Sequence, residues 1–144
     1  MSPDSKGNRE TILVVDDHPS VLHVVVQILE AENFHVLSAA NGHSALKLAG
    51  ETTGTIDLLL SDVEMPDMSG PDLGEALKSA RPDMHVMFMS GGPSGNLLVL
   101  NYGWAYIQKP FLAVKLVRMI NEVLHTPNRS QPGGQEFDSR KDSR

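Results

Sequence analysis

One pattern constrains this chain more than any other. A short apolar run is followed by a segment with apolar residues at helical spacing, and the pair recurs along the sequence. Residues 11–15 (TILVV) are β-branched and apolar, which predicts a buried strand. Pro19 then suits the first turn of a helix whose Val21, Leu22, Val25, Ile28 and Leu29 share one face, despite the weak helix propensity of Val24, Val25 and Val26. Residues 34–38 (FHVLS) predict a second strand, and Ala45, Leu46 and Ala49 one face of a short second helix. A third strand spans 56–61, and after a turn Pro71 opens a helix carrying Leu73, Ala76, Leu77 and Ala80, closed by Pro82. Residues 85–90 (HVMFMS) and 104–108 (WAYIQ) predict strands four and five. Leu112, Leu116, Val117, Ile120 and Leu124 form the last apolar stripe. Near-continuous apolar strands alternating with helices predict an α/β, doubly wound parallel sheet with helices on both faces.

With 144 residues there is room for one domain, expected over 10–125 and preceded by a flexible segment, 1–9. Beyond Thr126 one large apolar side chain, Phe137, remains, so 126–144 is expected to be a disordered tail. No apolar run approaches the roughly 18 residues of a membrane span, and the polar start (MSPDSKGNRE) does not resemble a signal peptide. The absence of cysteine excludes disulfides, thiolate metal sites and cysteine nucleophiles, and fits a cytoplasmic protein. A net charge of −6 argues against a nucleic-acid-binding face and for an affinity toward cations.

Placing the strands orders the polar residues. Asp16 and Asp17 end the first strand, Asp62 ends the third, Ser90 ends the fourth, and Lys109 follows the fifth. In an open parallel sheet the carboxyl ends of the strands lie along one edge, and ligands bind where the strand order reverses. An order of 2-1-3-4-5 would gather three carboxylates, a hydroxyl and an ammonium into one cleft. Taken singly, Asp17 could cap a helix, Ser90 could belong to a turn with Gly91 and Gly92, and Lys109 could be a solvated loop charge. Asp62 resists such a reading, because no helix begins immediately after it.

The blocks ILVVDDHPSV, LLLSDVEMPDMSG, VMFMSGG and YIQKPF resemble, in this order, the signature segments of response-regulator receiver domains of two-component and phosphorelay signalling. The resemblance covers about residues 10–125 and is closest in wording to the receivers of hybrid histidine kinases. It implies a flavodoxin-like fold and a phosphoacceptor role for Asp62. It also implies an acidic pair at Asp16 and Asp17, a site lysine at Lys109, and switch residues at Ser90 and Tyr106. The implied donor is a histidine kinase or histidine phosphotransfer protein, meeting the first helix. The downstream protein is unknown, and neither nucleic acid nor membrane is expected as a partner. Such a domain is not a conventional enzyme, since it catalyses its own phosphorylation and slow dephosphorylation alone. The family also implies a cis peptide between Lys109 and Pro110, a form that X-Pro bonds reach at only about 0.5–1 kcal/mol above trans.

Electrostatics gives the acidic pair a purpose. Carboxylates about 4 Å apart repel by roughly 4 kcal/mol per pair at an effective dielectric near 20, so the cleft needs a cation or a proton. Oxygen ligands favour Mg²⁺. By the resemblance it would be held by Asp17, by Asp16 through water, by Asp62 and by the Glu64 backbone carbonyl.

Other readings fare less well. An Asp-dependent phosphatase of the haloacid dehalogenase class needs Asp-x-Asp after the first strand and a cap domain; here the two Asp are adjacent. A pseudo-receiver that only binds would lack some site residue, and all are present. The glycine-rich GGPSGN (91–96) lacks the Gly-Lys-Ser/Thr ending of a phosphate-binding loop. The histidines (18, 23, 35, 43, 85, 125) show no zinc-ligand spacing, and Met65, Met84, Met87 and Met89 are expected to fill the core.

One departure from the family stands out. The stretch from Ser90 to Lys109 is shorter than usual by nearly a helical turn. Segment 93–103 (PSGNLLVLNYG), with Gly95 near its start and Gly103 at its end, is therefore expected to hold only a marginal helix. The tail yields a test. Deleting 128–144 should leave the melting temperature almost unchanged, since almost no apolar area is lost. A drop of several degrees would show that Phe137 docks on the domain.

Overall fold

A computed structural model describes residues 9–92 and 103–125. The expectations for the N-terminal segment, for most of 93–103 and for the tail lie outside these residues. Nine elements follow in order: β1 (Thr11–Val15), α1 (Pro19–Ala31), β2 (His35–Ala39), α2 (Gly42–Glu51), β3 (Leu58–Asp62), α3 (Gly70–Ala80), β4 (His85–Ser90), β5 (Ala105–Gln108) and α4 (Ala113–Leu124). All strand pairs are parallel, in the order β2-β1-β3-β4-β5. This is the doubly wound parallel sheet that the alternation predicts and the flavodoxin-like fold that the resemblance implies.

The strands alternate between two cores, as a period of two requires. Ile12 and Val14 of β1 join Val25, Leu29, Leu58, Leu60, Met87, Met89, Leu116 and Ile120 on the side covered by α1 and α4. Leu13 and Val15 join Ala45, Ala49, Leu59, Leu73, Leu77 and Phe88 on the side covered by α2 and α3. Because both faces are buried, the strands read as unbroken apolar runs. Met84, Met87 and Met89 are fully buried and Met65 packs against the core, as expected of filler residues.

Several boundaries differ from those read in the sequence. Phe34 is not in β2: its N–H bonds back to the Leu29 carbonyl at 3.1 Å, after Asn33 reverses the chain at φ 70°. Ile56 is buried but precedes β3, which begins two residues later at Leu58; between them the Asp57 carboxylate accepts the Thr11 N–H (2.8 Å). On α3, Ala76 and Ala80 face solvent, and the buried face is Gly70, Leu73, Gly74 and Leu77. Leu112 caps α4 from outside, 72% exposed, rather than extending its apolar stripe.

Two of the α3 glycines are needed for close approach. A Cβ at Gly70 would collide with the Asp62 carbonyl oxygen and press on Phe88. One at Gly74 would sit 3.3 Å from the Trp104 ring, which itself packs on Phe88 with centroids 5.5 Å apart. Gly70→Ala should therefore lower the unfolding free energy by about 1–3 kcal/mol in urea titration. Gly50→Ala, on an exposed helical position with nothing within 4 Å of the added methyl, should be neutral or stabilising by up to about 1 kcal/mol. Equal losses in the two variants would contradict this packing.

Candidate functional site

The register of the sheet builds the cleft. Val15 pairs with Ser61 across β1 and β3, so the residues that follow, Asp16 and Asp62, meet at the carboxyl edge of neighbouring strands. Asp62 pairs with Met89 on β4, one residue before Ser90. Ser90 in turn pairs with Gln108 on β5, and the Lys109 N–H donates to the Ser90 carbonyl at 2.8 Å. The edge where the strand order reverses thus receives one polar residue from each of four strands.

Asp16 is fully buried, and Asp62 and Ser90 nearly so. The Lys109 ammonium donates to Asp16 Oδ2 at 2.9 Å and lies 3.4 Å from Asp62 Oδ1. Asp16 Oδ1 accepts the His18 N–H at 2.9 Å and approaches the His18 ring Nδ1 at 3.1 Å. Asp17 Oδ1 is shielded from solvent and has no hydrogen-bond partner. Ligand atoms of Asp16, Asp17, His18 and Asp62 all lie within 4.8 Å of one another. Burial pushes the Asp62 carboxyl above the usual carboxylate range, and the charges on Asp16 and Asp17 push the same way while Lys109 opposes them. One ammonium faces three carboxylates, and this imbalance is the defining electrostatic property of the cleft.

Ser90 Oγ donates to the Gly92 carbonyl at 3.1 Å, and Gly91 and Gly92 have open space around them. Tyr106, in register with Phe88, is half-buried against the core on the α2/α3 side. The Lys109–Pro110 peptide is cis, as the resemblance implies. Glu64 follows β3 in the loop to α3 with an exposed side chain.

Sequence reading missed two residues near this edge. His18 was one of six histidines without a ligand pattern; the signal available was its place directly after the acidic pair. Asp67 accepts the N–H groups of Gly42 (3.1 Å) and His43 (2.8 Å) and the His43 ring nitrogen (2.6 Å). It caps α2 from a distant loop, and these bonds, the His43 amide first, hold its carboxyl well below the usual range. No local pattern announces a cap that lies 24 or 25 residues away in sequence.

A parallel five-stranded sheet with an acidic cleft at its switch point suits a cation or phosphoryl ligand and is common to more than one class of protein. The response regulator receiver domain matches residues 12–121, and the chain belongs to that family. It is 32% identical over 117 residues to the sensor kinase CckA of Brucella abortus, covering 79% of this chain but only 12% of that kinase. The crystal structure of the receiver domain of the hybrid histidine kinase CckA superposes with a TM-score of 0.69 at 36% identity, covering 79% of this chain and 98% of that one. The response regulator TrrA of Thermotoga maritima, solved in complex with Mg²⁺-BeF, superposes with a TM-score of 0.70 at 25% identity, covering 79% of this chain and 98% of that one. The chain is thus a receiver domain of two-component signalling. None of its described helices is long and apolar enough to cross a membrane.

The raised affinity of Asp62 for a proton has a thermodynamic consequence. Folding without a cation favours protonated Asp62, so its contribution is fully present below the ordinary value of 3.8 and is lost as pH rises through the higher folded value. In chelator, wild-type stability should therefore fall relative to Asp62→Asn as pH rises above about 4. Parallel pH profiles of the two proteins in thermal unfolding would refute this.

Proposed function

We propose that the domain accepts a phosphoryl group on Asp62 from a histidine kinase or histidine phosphotransfer protein, with Mg²⁺ in the cleft, and relays the change to a downstream protein. The observation that carries this reading is the charge imbalance: three carboxylates, two of them buried, face a single ammonium. Two uncompensated negative charges match one divalent cation. The donor chemistry fits a hard ion, since Asp16, Asp17 and Asp62 offer oxygen and Asp17 Oδ1 has no hydrogen-bond partner. Asp16, Asp17, Asp62 and the Glu64 backbone carbonyl would hold it. When bound, it supplies positive charge against the phosphoryl oxygens.

The rest is done by the chain's own groups. An Asp62 carboxylate oxygen attacks phosphorus, the bond to the donor's nitrogen or oxygen breaks, and an acyl phosphate remains. Lys109, already within 3.4 Å of Asp62, can pair with the transferred group while keeping its bond to Asp16. The Ser90 hydroxyl can exchange the Gly92 carbonyl for a phosphoryl oxygen. Tyr106, in register with Phe88 on the neighbouring strand, would respond to that exchange. A bound cation would offset the desolvation of Asp62 and its repulsion by Asp16 and Asp17, lower its affinity for a proton and leave the carboxylate free as the nucleophile.

The likeness to the CckA receiver supports a phosphorelay setting, and the Mg²⁺-BeF complex of TrrA supports the cation and the phosphoryl position. Acetyl phosphate with Mg²⁺ should add one acid-stable, base-labile phosphoryl group, detected by intact mass. Asp62→Asn or chelator should abolish the gain. Labelling that persists in Asp62→Asn would overturn the assignment.

A further inference from the structure

His18 occupies the mouth of the acidic cleft and has no place in the reading above. Its backbone N–H and ring Nδ1 both meet Asp16 Oδ1, at 2.9 and 3.1 Å. The same Nδ1 lies 3.4 Å from Asp17 Oδ1, yet no hydrogen bond forms there and that buried oxygen has no hydrogen-bond partner. Asp16 by contrast is engaged through both oxygens, Oδ1 with His18 and Oδ2 with Lys109. An imidazole nitrogen thus faces two carboxylate oxygens at 3.1 and 3.4 Å. Ligands at right angles around an ion with bonds of about 2.1 Å stand about 3 Å apart. The spacing is that of neighbouring positions in one coordination shell.

We infer that His18 is a further protein ligand of the cleft, through Nδ1, and that it tilts the site from Mg²⁺ toward divalent transition ions such as Mn²⁺ and Co²⁺. This rests on the cation reading of the cleft and adds selectivity to it. An all-oxygen set suits Mg²⁺, whereas imidazole suits the later transition ions and raises affinity along the Mn²⁺ to Co²⁺ series. Coordination requires the Nδ1 lone pair, so the ring carries its proton on Nε2 and gives up the contact with Asp16 Oδ1. The side chain is 62% exposed and can make that small turn without disturbing the core. The backbone bond from His18 N–H to Asp16 stays in place and keeps the ring at the cleft.

The test uses the full chain loaded with one equivalent of Mn²⁺ and read by pulsed electron paramagnetic resonance, beside calorimetric titration with Co²⁺ and Mg²⁺. Asp17→Asn serves as the control that empties the cleft. Wild type should show coupling of the Mn²⁺ spin to a ¹⁴N nucleus, and His18→Ala should lose it. Co²⁺ affinity should drop roughly ten- to a hundredfold in His18→Ala, while Mg²⁺ affinity changes less than about twofold because no oxygen ligand is removed. Mn²⁺ bound in wild type with no nitrogen coupling would overturn the role of His18 and leave the cation reading intact. Coupling that survives His18→Ala, or equal losses of Co²⁺ and Mg²⁺ affinity, would overturn it likewise. Failure of wild type to bind any of the three ions would overturn the cation reading itself, and this inference with it.

Discussion

The register between β1 and β3 is the constraint on which the cleft depends. Val15 opposite Ser61 places the next residue of each strand, Asp16 and Asp62, about one strand spacing apart at the sheet edge. A slip of one residue would move either carboxylate to the opposite face and break the two cores at once. The apolar alternation that stabilises the sheet therefore also fixes the distance between its two buried charges. At an effective dielectric near 20, a pair of charges about 4 Å apart repels by roughly 4 kcal/mol. That is a large part of the 5–15 kcal/mol or so that separates a folded domain from its unfolded chain. Lys109 offsets one such charge, and the remainder makes the edge receptive to a cation.

The surrounding structure leaves this repulsion little room to relax by movement. The loop after Asp62 is fastened at both ends, by Val63 N–H to the Met89 carbonyl (3.2 Å) and by Gly70 N–H to the Val63 carbonyl (2.7 Å). Asp67 pins its middle to the start of α2 through two backbone amides and the His43 ring. Met68 lies so close to Gly42 that a side chain there would displace it. A loop held at three points keeps its charges in place, so the cleft responds by taking up a proton or a cation. The raised proton affinity of Asp62 is the first of these responses.

Much of this was legible in the sequence because the informative signals are local. Apolar runs at period two and helical stripes gave the element order, and the known geometry of parallel sheets then placed Asp16, Asp17, Asp62, Ser90 and Lys109 on one edge. The errors have physical causes of longer range. Ala76 and Ala80 look like a helical face, but α3 packs through Gly70 and Gly74, and glycine carries no hydrophobic signal even where close approach to Phe88 and Trp104 demands it. Leu112 looks like part of a stripe, yet it lies outside the helix it introduces. Asp67 and His18 owe their roles to partners that only the folded chain brings near, across sequence in one case and around a tight turn in the other.

The two sides of the cleft differ in how far they can move, and this bears on how a signal could leave it. On the β3 side, backbone bonds and the Asp67 cap fix the loop. On the β4 side, Ser90 is anchored through its carbonyl to Lys109 N–H, whereas its hydroxyl donates to the Gly92 carbonyl at 3.1 Å and accepts the Gly92 N–H at 3.4 Å. A neutral hydrogen bond of that kind contributes about 0.5–1.5 kcal/mol net, less than a bond to a charged acceptor at about 1.5–3 kcal/mol. On the proposed reading a phosphoryl oxygen beside Asp62 therefore outcompetes the Gly92 carbonyl for the same hydroxyl. The exchange frees a carbonyl in the glycine pair that opens the β4–β5 connection, where no Cβ resists a new backbone path. Because β5 is an edge strand that pairs in the sheet with β4 and not with β1 or β3, the rearrangement can spread along β5 to Tyr106 without disturbing the β1–β3 register that built the site.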